Sequence, residues 1–228
     1  MKKYHLFKIN INFLNVFSLV ILVVVLLFTY IFFNDNFIGM FNLFNDKKIM
    51  LLLFPMMIFY FILHEFFHAL GYIIHGADKS KITFGMELEK GVFYCLCKQD
   101  IKKKTILFSL MYPLFFIGFV TYVISIILNL DVLLLLSIVN ISGAAGDIMY
   151  FFFIIKLNKE IVFSELDDGT SFVIKNIDDI NKYKYYGLNY EGKVNSVSRS
   201  DFKRLYVSKL SSIVLVICFI LLIFAIMI

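Results

Sequence analysis

The stretch ILFSLMYPLFFIGFVTYVISIILNLDVLLLLSIVNISGAAGDIMYFFFII, residues 106–155, is an almost uninterrupted apolar run. As a single helix it would extend about 75 Å, whereas the hydrocarbon core of a bilayer is about 30 Å thick. The run must therefore fold back on itself, and its polar break is Asn129-Leu130-Asp131. This pattern predicts two membrane spans, at about residues 105–128 and 132–155, joined by a tight turn.

The composition of the whole chain indicates a polytopic membrane protein. Its 228 residues are 61% hydrophobic and 17% charged, with 28 Phe and a mean hydropathy of +0.85, which is more apolar surface than a soluble domain of this size needs. Further apolar runs at about residues 13–33, 49–74 and 205–228 bring the predicted number of transmembrane helices to about five. We expect an all-α polytopic membrane fold with a juxtamembrane β-hairpin and a small cytoplasmic α+β segment.

Two polar segments lie between the predicted spans. Residues 82–88 alternate apolar and polar side chains, and a second β-rich run follows the turn-like Glu89-Lys90-Gly91, so we predict a β-hairpin at 79–98. Short β-rich runs flank Asp167-Asp168-Gly169 in the second segment. The predicted organisation is an N-terminal transmembrane anchor at 1–34, a membrane-embedded core at 49–156, a cytoplasmic segment at 157–204 and a C-terminal transmembrane helix at 205–228.

Basic residues fall almost entirely on one side of the predicted membrane. With a cytoplasmic N-terminus, the inside segments carry three lysines before residue 9, seven in residues 79–104 and ten Lys or Arg in residues 156–209, which leaves two of the 22 outside. The positive-inside rule therefore predicts a cytoplasmic N-terminus and an extracytoplasmic C-terminus in a cell membrane. Contact with anionic lipid headgroups explains the net charge of +5 without nucleic acid. Abundant Ile, Asn, Lys and Phe indicate a bacterial source.

The second predicted span contains LHEFFHALG, residues 63–71, which points to metal chemistry. His64 and His68 are four residues apart, so on a helix their imidazoles lie one turn apart on one face and can reach one metal ion. Glu65 is then placed to act on a water molecule that the ion activates. This spacing is typical of zinc metalloproteases. The structural alternative is a set of polar helix residues that pair only with each other.

Depth in the membrane selects Asp147 as a third ligand, which a catalytic zinc site requires. His64 and His68 lie 11 and 7 residues before the cytoplasmic end of their span, near His75, and Asp147 lies 8 residues before the end of its span, near Ile155. At about 1.5 Å per residue the three side chains reach one level. An unpaired aspartate is costly there, and a metal would be a partner; a polar packing contact is the alternative.

Other polar residues near the motif have competing explanations. Asn140, seven residues before Asp147, could bond the aspartate, a water or a substrate backbone, although helix packing is the more ordinary explanation. His75 is one residue too distant to be the third histidine of the extended zinc motif, and we expect it at the membrane interface. The three cysteines give no disulfide framework, and Cys95 and Cys97 are expected to be reduced and structural.

As a set, the His64-Glu65-x-x-His68 span, the hairpin after it, Tyr112-Pro113 and Asn140…Gly146-Asp147 resemble the putative zincin peptidase family of small bacterial membrane proteins, which is itself similar to the site-2 proteases. The resemblance covers roughly residues 50–175. It departs from the site-2 protease pattern because no proline lies between Asn140 and Asp147 and because Ile148 follows the aspartate.

The resemblance implies particular roles for these residues. His64, His68 and Asp147 would bind Zn²⁺, and Glu65 would be the catalytic base. The hairpin could hold substrate as an added strand, because proteases cleave extended backbone. The implied substrate-binding residues are Asn140, Phe84 and Gly85.

The predicted function is therefore that of a zinc-dependent endopeptidase that hydrolyses membrane-embedded or juxtamembrane protein substrates. Two other classes stay open. One is a non-proteolytic multi-pass membrane protein that retains a structural or regulatory zinc site. The other is a transporter with an intramembrane relay, which the small number of ionisable residues within the spans and the absence of an internal repeat in the sequence disfavour.

Overall fold

The computed structural model describes residues 4–87, 92–166, 171–177, 179 and 187–194. Helices make up most of this part of the chain. A π-helical segment, Leu114–Val120, lies between the fourth and fifth of them. In chain order they are α1 (Ile11–Phe32), α2 (Asn34–Asn42), α3 (Lys47–Ile74), α4 (Lys103–Pro113), α5 (Thr121–Ile127), α6 (Asp131–Gly143) and α7 (Ala145–Lys156).

Three helical stretches in the described residues are long and apolar enough to cross a membrane. They are α1, α3 and the continuous stretch Lys103–Ile127, and the pair α6 and α7, bent by 44°, would be a fourth. All four begin and end within two residues of the predicted spans. The structure is therefore consistent with a multi-pass membrane protein. The fifth predicted span, 205–228, lies outside the described residues, so the number of five stays a prediction.

Side-chain caps fix where two of these helices begin. The Asn10 side chain accepts a hydrogen bond from the Phe13 N–H at the start of α1, and the Asp46 side chain accepts from the Lys48 N–H at the start of α3. Such caps satisfy N–H groups that the first helical turn leaves unpaired. The caps lie at the polar edges of the apolar runs, so helix ends and span ends coincide.

Five strands form one antiparallel sheet in the order β4-β5-β6-β1-β7. Strand β1 precedes α1, and the prediction of a plain transmembrane anchor at 1–34 omitted it. Its Phe7 is completely buried, which explains why this short basic segment is ordered as a strand. The fold is thus mainly helical with a larger sheet than predicted. The strands are β1 (Tyr4–Ile9), β4 (Ile101–Lys102), β5 (Val162–Glu165), β6 (Ser171–Lys175) and β7 (Leu188–Val194).

The predicted hairpin is present as a separate two-stranded sheet. Strand β2 (Ile82–Glu87) pairs antiparallel with β3 (Val92–Cys97), with Ile82 opposite Cys97. Its predicted turn at 89–91, like the predicted turn at 167–169, lies outside the described residues. Strand β3 packs against α3 and approaches β5, so the hairpin lies close to the helix that carries the histidine motif.

The five-stranded sheet gathers segments from one end of the helical layer. It contains the chain just before α1, just before α4 and just after α7. These are the segments whose basic residues predict a shared side of the membrane; that this side is cytoplasmic stays a prediction. A core of aromatic side chains, among them Phe7, Phe153, Phe163 and Phe172, packs between the sheet and the helices.

Helices α3 and α4 approach closely behind the motif. A Cβ atom added at Gly71 would lie 2.6 Å from the Ser109 Cα, which is shorter than atomic contact permits. Glycine is therefore needed at this crossing, and it brings the α4 backbone against the face of α3 that bears His68.

Candidate metal centre

Helix α3 brings His64, Glu65 and His68 together. The two imidazole rings have centroids 4.9 Å apart, as expected for residues separated by one helical turn. One nitrogen of each histidine and one carboxylate oxygen of Glu65 all lie within 4.8 Å of one another, so this His-Glu-His group could bind a metal ion.

Helix α7 adds Asp147 to the same point. The Asp147 Oδ2 lies 3.1 Å from His64 Nε2, and its Oδ1 lies 3.4 Å from His68 Nε2. The two Nε2 atoms are 3.1 Å apart. Depth counting from the sequence placed these three side chains at one level, and the structure brings their donor atoms into contact distance. The side chains of His64, His68 and Asp147 are 12, 10 and 15% exposed, so the group is enclosed with a small open side.

The other ring nitrogen of each histidine is bonded to protein. His64 Nδ1 lies 2.8 Å from Asn140 Oδ1, and His68 Nδ1 lies 2.9 Å from the Ser109 carbonyl oxygen. Because these oxygens can only accept, each Nδ1 carries the ring proton and donates it. Each Nε2 therefore keeps its lone pair directed toward the shared point. Metal-binding histidines in proteins are usually held this way.

A break at Ala144 between α6 and α7 shapes the Asp147 side of the site. Asn140 lies in the last turn of α6 and Asp147 in the first turn of α7, where the helix dipole favours a carboxylate. The sequence predicted one straight span here with both residues on nearly the same face. Helix α1 supports the break, because the Ser18 hydroxyl donates to the Ser142 carbonyl at 2.8 Å.

Glu65 is held from the hairpin side. Its carboxylate faces the backbone N–H of Cys95 on β3. Cys95 and Cys97 are both buried, and neither forms a disulfide within the described part of the chain. Burial raises the pKa of the Cys95 thiol well above its ordinary value, so the thiol stays protonated at neutral pH and is a weak metal ligand. The structural role predicted for Cys95 fits this environment.

His75 lies apart from the group, as the motif spacing predicted. It caps the C-terminal end of α3, and its ring stacks on Phe108 with a centroid distance of 3.9 Å. Its Nε2 lies 3.3 Å from the Tyr112 hydroxyl. His75 therefore takes part in an aromatic contact between α3 and α4.

The residues predicted to contact substrate lie in two places. Both ends of the buried Asn140 amide are in protein contacts, because Nδ2 also approaches the Pro113 carbonyl at 3.4 Å, so Asn140 positions His64. Phe84 on β2 is 44% exposed. A Cβ at Gly85 would collide with the Tyr94 ring, which crosses the strand there. Substrate contact by these three residues stays a prediction.

Sequence reasoning missed three supporting residues: Ser109, Ser18 and Glu165. Ser109 and Ser18 are isolated small hydroxyl residues among apolar neighbours in their helices, a pattern that gives no functional signal. Glu165 lies in a polar segment where acidic residues are ordinary. Its carboxylate bonds to α3 and to β3 beside the site.

Residues 57–162 match the family described as Putative zincin peptidase, which confirms over this range the family resemblance predicted from the motifs. The matched range contains His64, Glu65, His68 and Asp147. No curated protein and no solved structure matches the chain. The family match and the His-Glu-His group together indicate a metallopeptidase.

Proposed function

With residues 57–162 matched to a zincin peptidase family, we propose that this protein is a zinc-dependent endopeptidase that hydrolyses membrane-protein or peptide substrates within or beside the bilayer. One observation carries the proposal. The Nε2 atoms of His64 and His68 and the carboxylate of Asp147 converge, while both Nδ1 atoms are bonded elsewhere. Histidines that only stabilised the helix bundle would not need to direct both Nε2 atoms at one point while both Nδ1 atoms bond to protein groups.

The donor set fits zinc. In a tetrahedral site with bonds of about 2.0–2.1 Å, neighbouring ligand atoms lie about 3.3 Å apart. The two Nε2 atoms lie 3.1 Å apart, and the nearest Asp147 oxygen is Oδ2 at 3.1 Å for His64 Nε2 and Oδ1 at 3.4 Å for His68 Nε2. His64, His68 and Asp147 would therefore hold the ion as two imidazoles and one carboxylate. Bound there, zinc supplies Lewis acidity, which acidifies water and polarises a scissile carbonyl.

Glu65 is placed to move the protons of hydrolysis. Its carboxylate lies within 4.8 Å of a nitrogen of each histidine and faces the Cys95 N–H. It would take a proton from the attacking water and deliver that proton to the nitrogen of the leaving amine. The N–H from β3 favours one orientation of the carboxylate, which would serve both proton transfers.

The location of the site favours substrates that reach it from the membrane. The motif lies inside α3, one of the helices long enough to span a bilayer. A substrate backbone must be extended before its carbonyls are accessible, because a helix uses them internally. The hairpin lies directly beside Glu65, and its partly exposed Phe84 gives β2 an apolar surface for such a strand.

Two measurements on one pair of proteins test the proposal. Wild type and Glu65→Gln are purified in detergent, and bound zinc and cleavage of a fluorogenic peptide library are measured for each. We expect about one zinc in both proteins and cleavage by wild type alone, since glutamine keeps the shape of Glu65 but cannot accept a proton. Glu160→Gln, an exposed residue before β5, is the matched control and should cleave like wild type.

The same experiment separates the alternatives. Zinc in both proteins with cleavage in neither would contradict the peptidase and favour a non-proteolytic zinc protein. Equal cleavage by wild type and Glu65→Gln would remove Glu65 from the reaction and overturn the mechanism.

A further inference from the structure

The outer edge of β3 faces two carboxylates from different parts of the chain. The Cys95 N–H faces the Glu65 carboxylate on α3, and the Cys97 N–H donates to Glu165 Oε2 on β5 at 2.7 Å. Residues two apart on a strand direct their N–H groups to the same edge. The edge of the hairpin that faces the helices is therefore held at two successive points, one of which is the proposed base.

The second oxygen of Glu165 returns to α3. The Tyr72 hydroxyl donates to Glu165 Oε1 at 2.7 Å, and the Tyr72 side chain is only 2% exposed. Tyr72 lies one helical turn after His68 and two turns after His64, so it continues the face that carries the histidines. One carboxylate thus bonds simultaneously to the histidine helix and to the strand that holds Glu65.

A buried carboxylate is expensive to keep for stability alone. Burial raises the pKa of Glu165 to about 7, while its hydrogen bonds from the Cys97 N–H and the Tyr72 hydroxyl act in the opposite direction. Apolar packing at such a position usually stabilises a protein as well or better. The geometry that Glu165 fixes is a better reason for its presence. Glu165 also lies beyond residues 57–162, the range that the family match covers.

We propose that Glu165 is a positioning residue: by tying β3 to α3 it holds the Cys95 N–H against the Glu65 carboxylate. The catalytic consequence of this inference rests on the proposed function. The connection of β3 to α3 through Glu165 does not depend on it. In the described part of the chain the Glu165 carboxylate is hydrogen-bonded to Tyr72 and Cys97 and not to His64, His68 or Asp147. Its loss lets β3 move away from α3, so Glu65 loses the donor that orients it while the histidines keep theirs.

The first test asks, without an activity assay, whether Glu165 holds β3 against α3. In a Cys218→Ser background, the alkylation rates of the Cys95 and Cys97 thiols are followed by mass spectrometry. We expect Glu165→Ala to raise both rates about ten- to hundredfold. This factor corresponds to the free energy of hydrogen bonds to a buried charged group. Glu191→Gln removes an acid from the exposed part of β7 in the same sheet and should leave the rates unchanged.

The second test measures positioning. Glu165→Gln can accept only one of the two hydrogen bonds, so kcat for peptide cleavage should fall about tenfold or more, with KM and bound zinc at the wild-type level. Tyr72→Phe should lower kcat less. The double variant should fall no further than Glu165→Gln, because both changes break one connection. A loss of zinc in step with activity would assign Glu165 to folding of the metal site and overturn the proposal.

The pH profile gives a readout that a purely structural role would not change. The titratable groups that face Glu165 are Glu65, His68 and Tyr72 from α3, and Cys95 and Cys97 from β3. Replacing Glu165 by glutamine should therefore remove one ionisation near pH 7 from the kcat profile. The proposal would be overturned if Glu165→Gln and Glu165→Ala had the same alkylation rates and the same kcat as the control Glu191→Gln. Absence of cleavage by wild type would instead overturn the proposed function, and the alkylation rates would still decide whether Glu165 holds β3.

Discussion

Asn140→Ala should weaken zinc binding although Asn140 is not a ligand. The Asn140 Oδ1 accepts the His64 Nδ1 proton at 2.8 Å, and Asn140 is 1% exposed, so solvent cannot replace the lost acceptor. An unpaired buried donor costs about 1–3 kcal/mol, which corresponds to about a 5- to 150-fold weaker zinc affinity. Loss of similar partners behind metal-binding histidines costs about 10–100-fold. Competition with a chromogenic chelator in detergent measures the dissociation constant.

A neighbouring serine provides the control for this prediction. Ser137 lies one turn earlier on α6, is completely buried, and donates only to a carbonyl of its own helix, that of Leu134. Ser137→Ala should bind zinc like wild type. A zinc affinity of Asn140→Ala within twofold of wild type would refute the assignment of Asn140 as the residue that fixes the His64 ring.

Gly71→Ala should destabilise the protein by about 1–3 kcal/mol, because the added Cβ would lie 2.6 Å from the α4 backbone; Gly143→Ala, which meets no atom within 4 Å, should unfold at the wild-type temperature or slightly above. Asp147→Asn should lower bound zinc well below one per chain, whereas Asp131→Asn should keep it, and metal analysis of the two purified variants distinguishes them. The raised pKa of Glu165, about 7 against an ordinary 4.5, means that the folded protein holds this proton more tightly than the unfolded chain. Its favourable contribution is therefore present at pH 4.5 and is lost as the pH rises through 7. Thermal unfolding at pH 5 and pH 8 should show this loss in wild type and a smaller one in Glu165→Gln.

The transmembrane helices could be predicted from sequence because their signal is local. Apolar runs and polar breaks located four helical stretches to within two residues. Depth counting from those ends then placed Asp147 with His64 and His68, since helical rise converts residue number into height. The hairpin followed from alternation in residues 82–88 and from the β-rich run after the turn-like residues 89–91. These features depend on short-range periodicity, which a single sequence carries.

Features that depend on distant pairing were missed. Strand β1 forms only because residues 4–9 pair with β6 and β7, more than 160 residues later in the chain. Nothing in the local sequence distinguishes it from an ordinary basic segment before a membrane span. The sequence predicts one continuous span at about 132–155, whereas a helix break occurs within the small residues Ser142-Gly143-Ala144-Ala145-Gly146. The hydrogen bonds of Glu165 connect β5 to the hairpin and to α3, so no spacing in the sequence could reveal them.

The most direct test of the metal assignment is X-ray absorption at the zinc edge on the purified wild-type protein. We expect a first shell of nitrogen and oxygen atoms at about 2.0–2.1 Å, with the outer-shell scattering of two imidazoles from His64 and His68. Asp147→Asn loaded with zinc should keep the imidazole scattering and lose one oxygen ligand. A sulfur ligand at about 2.3 Å would place the zinc at the cysteines and contradict the site proposed at His64, His68 and Asp147.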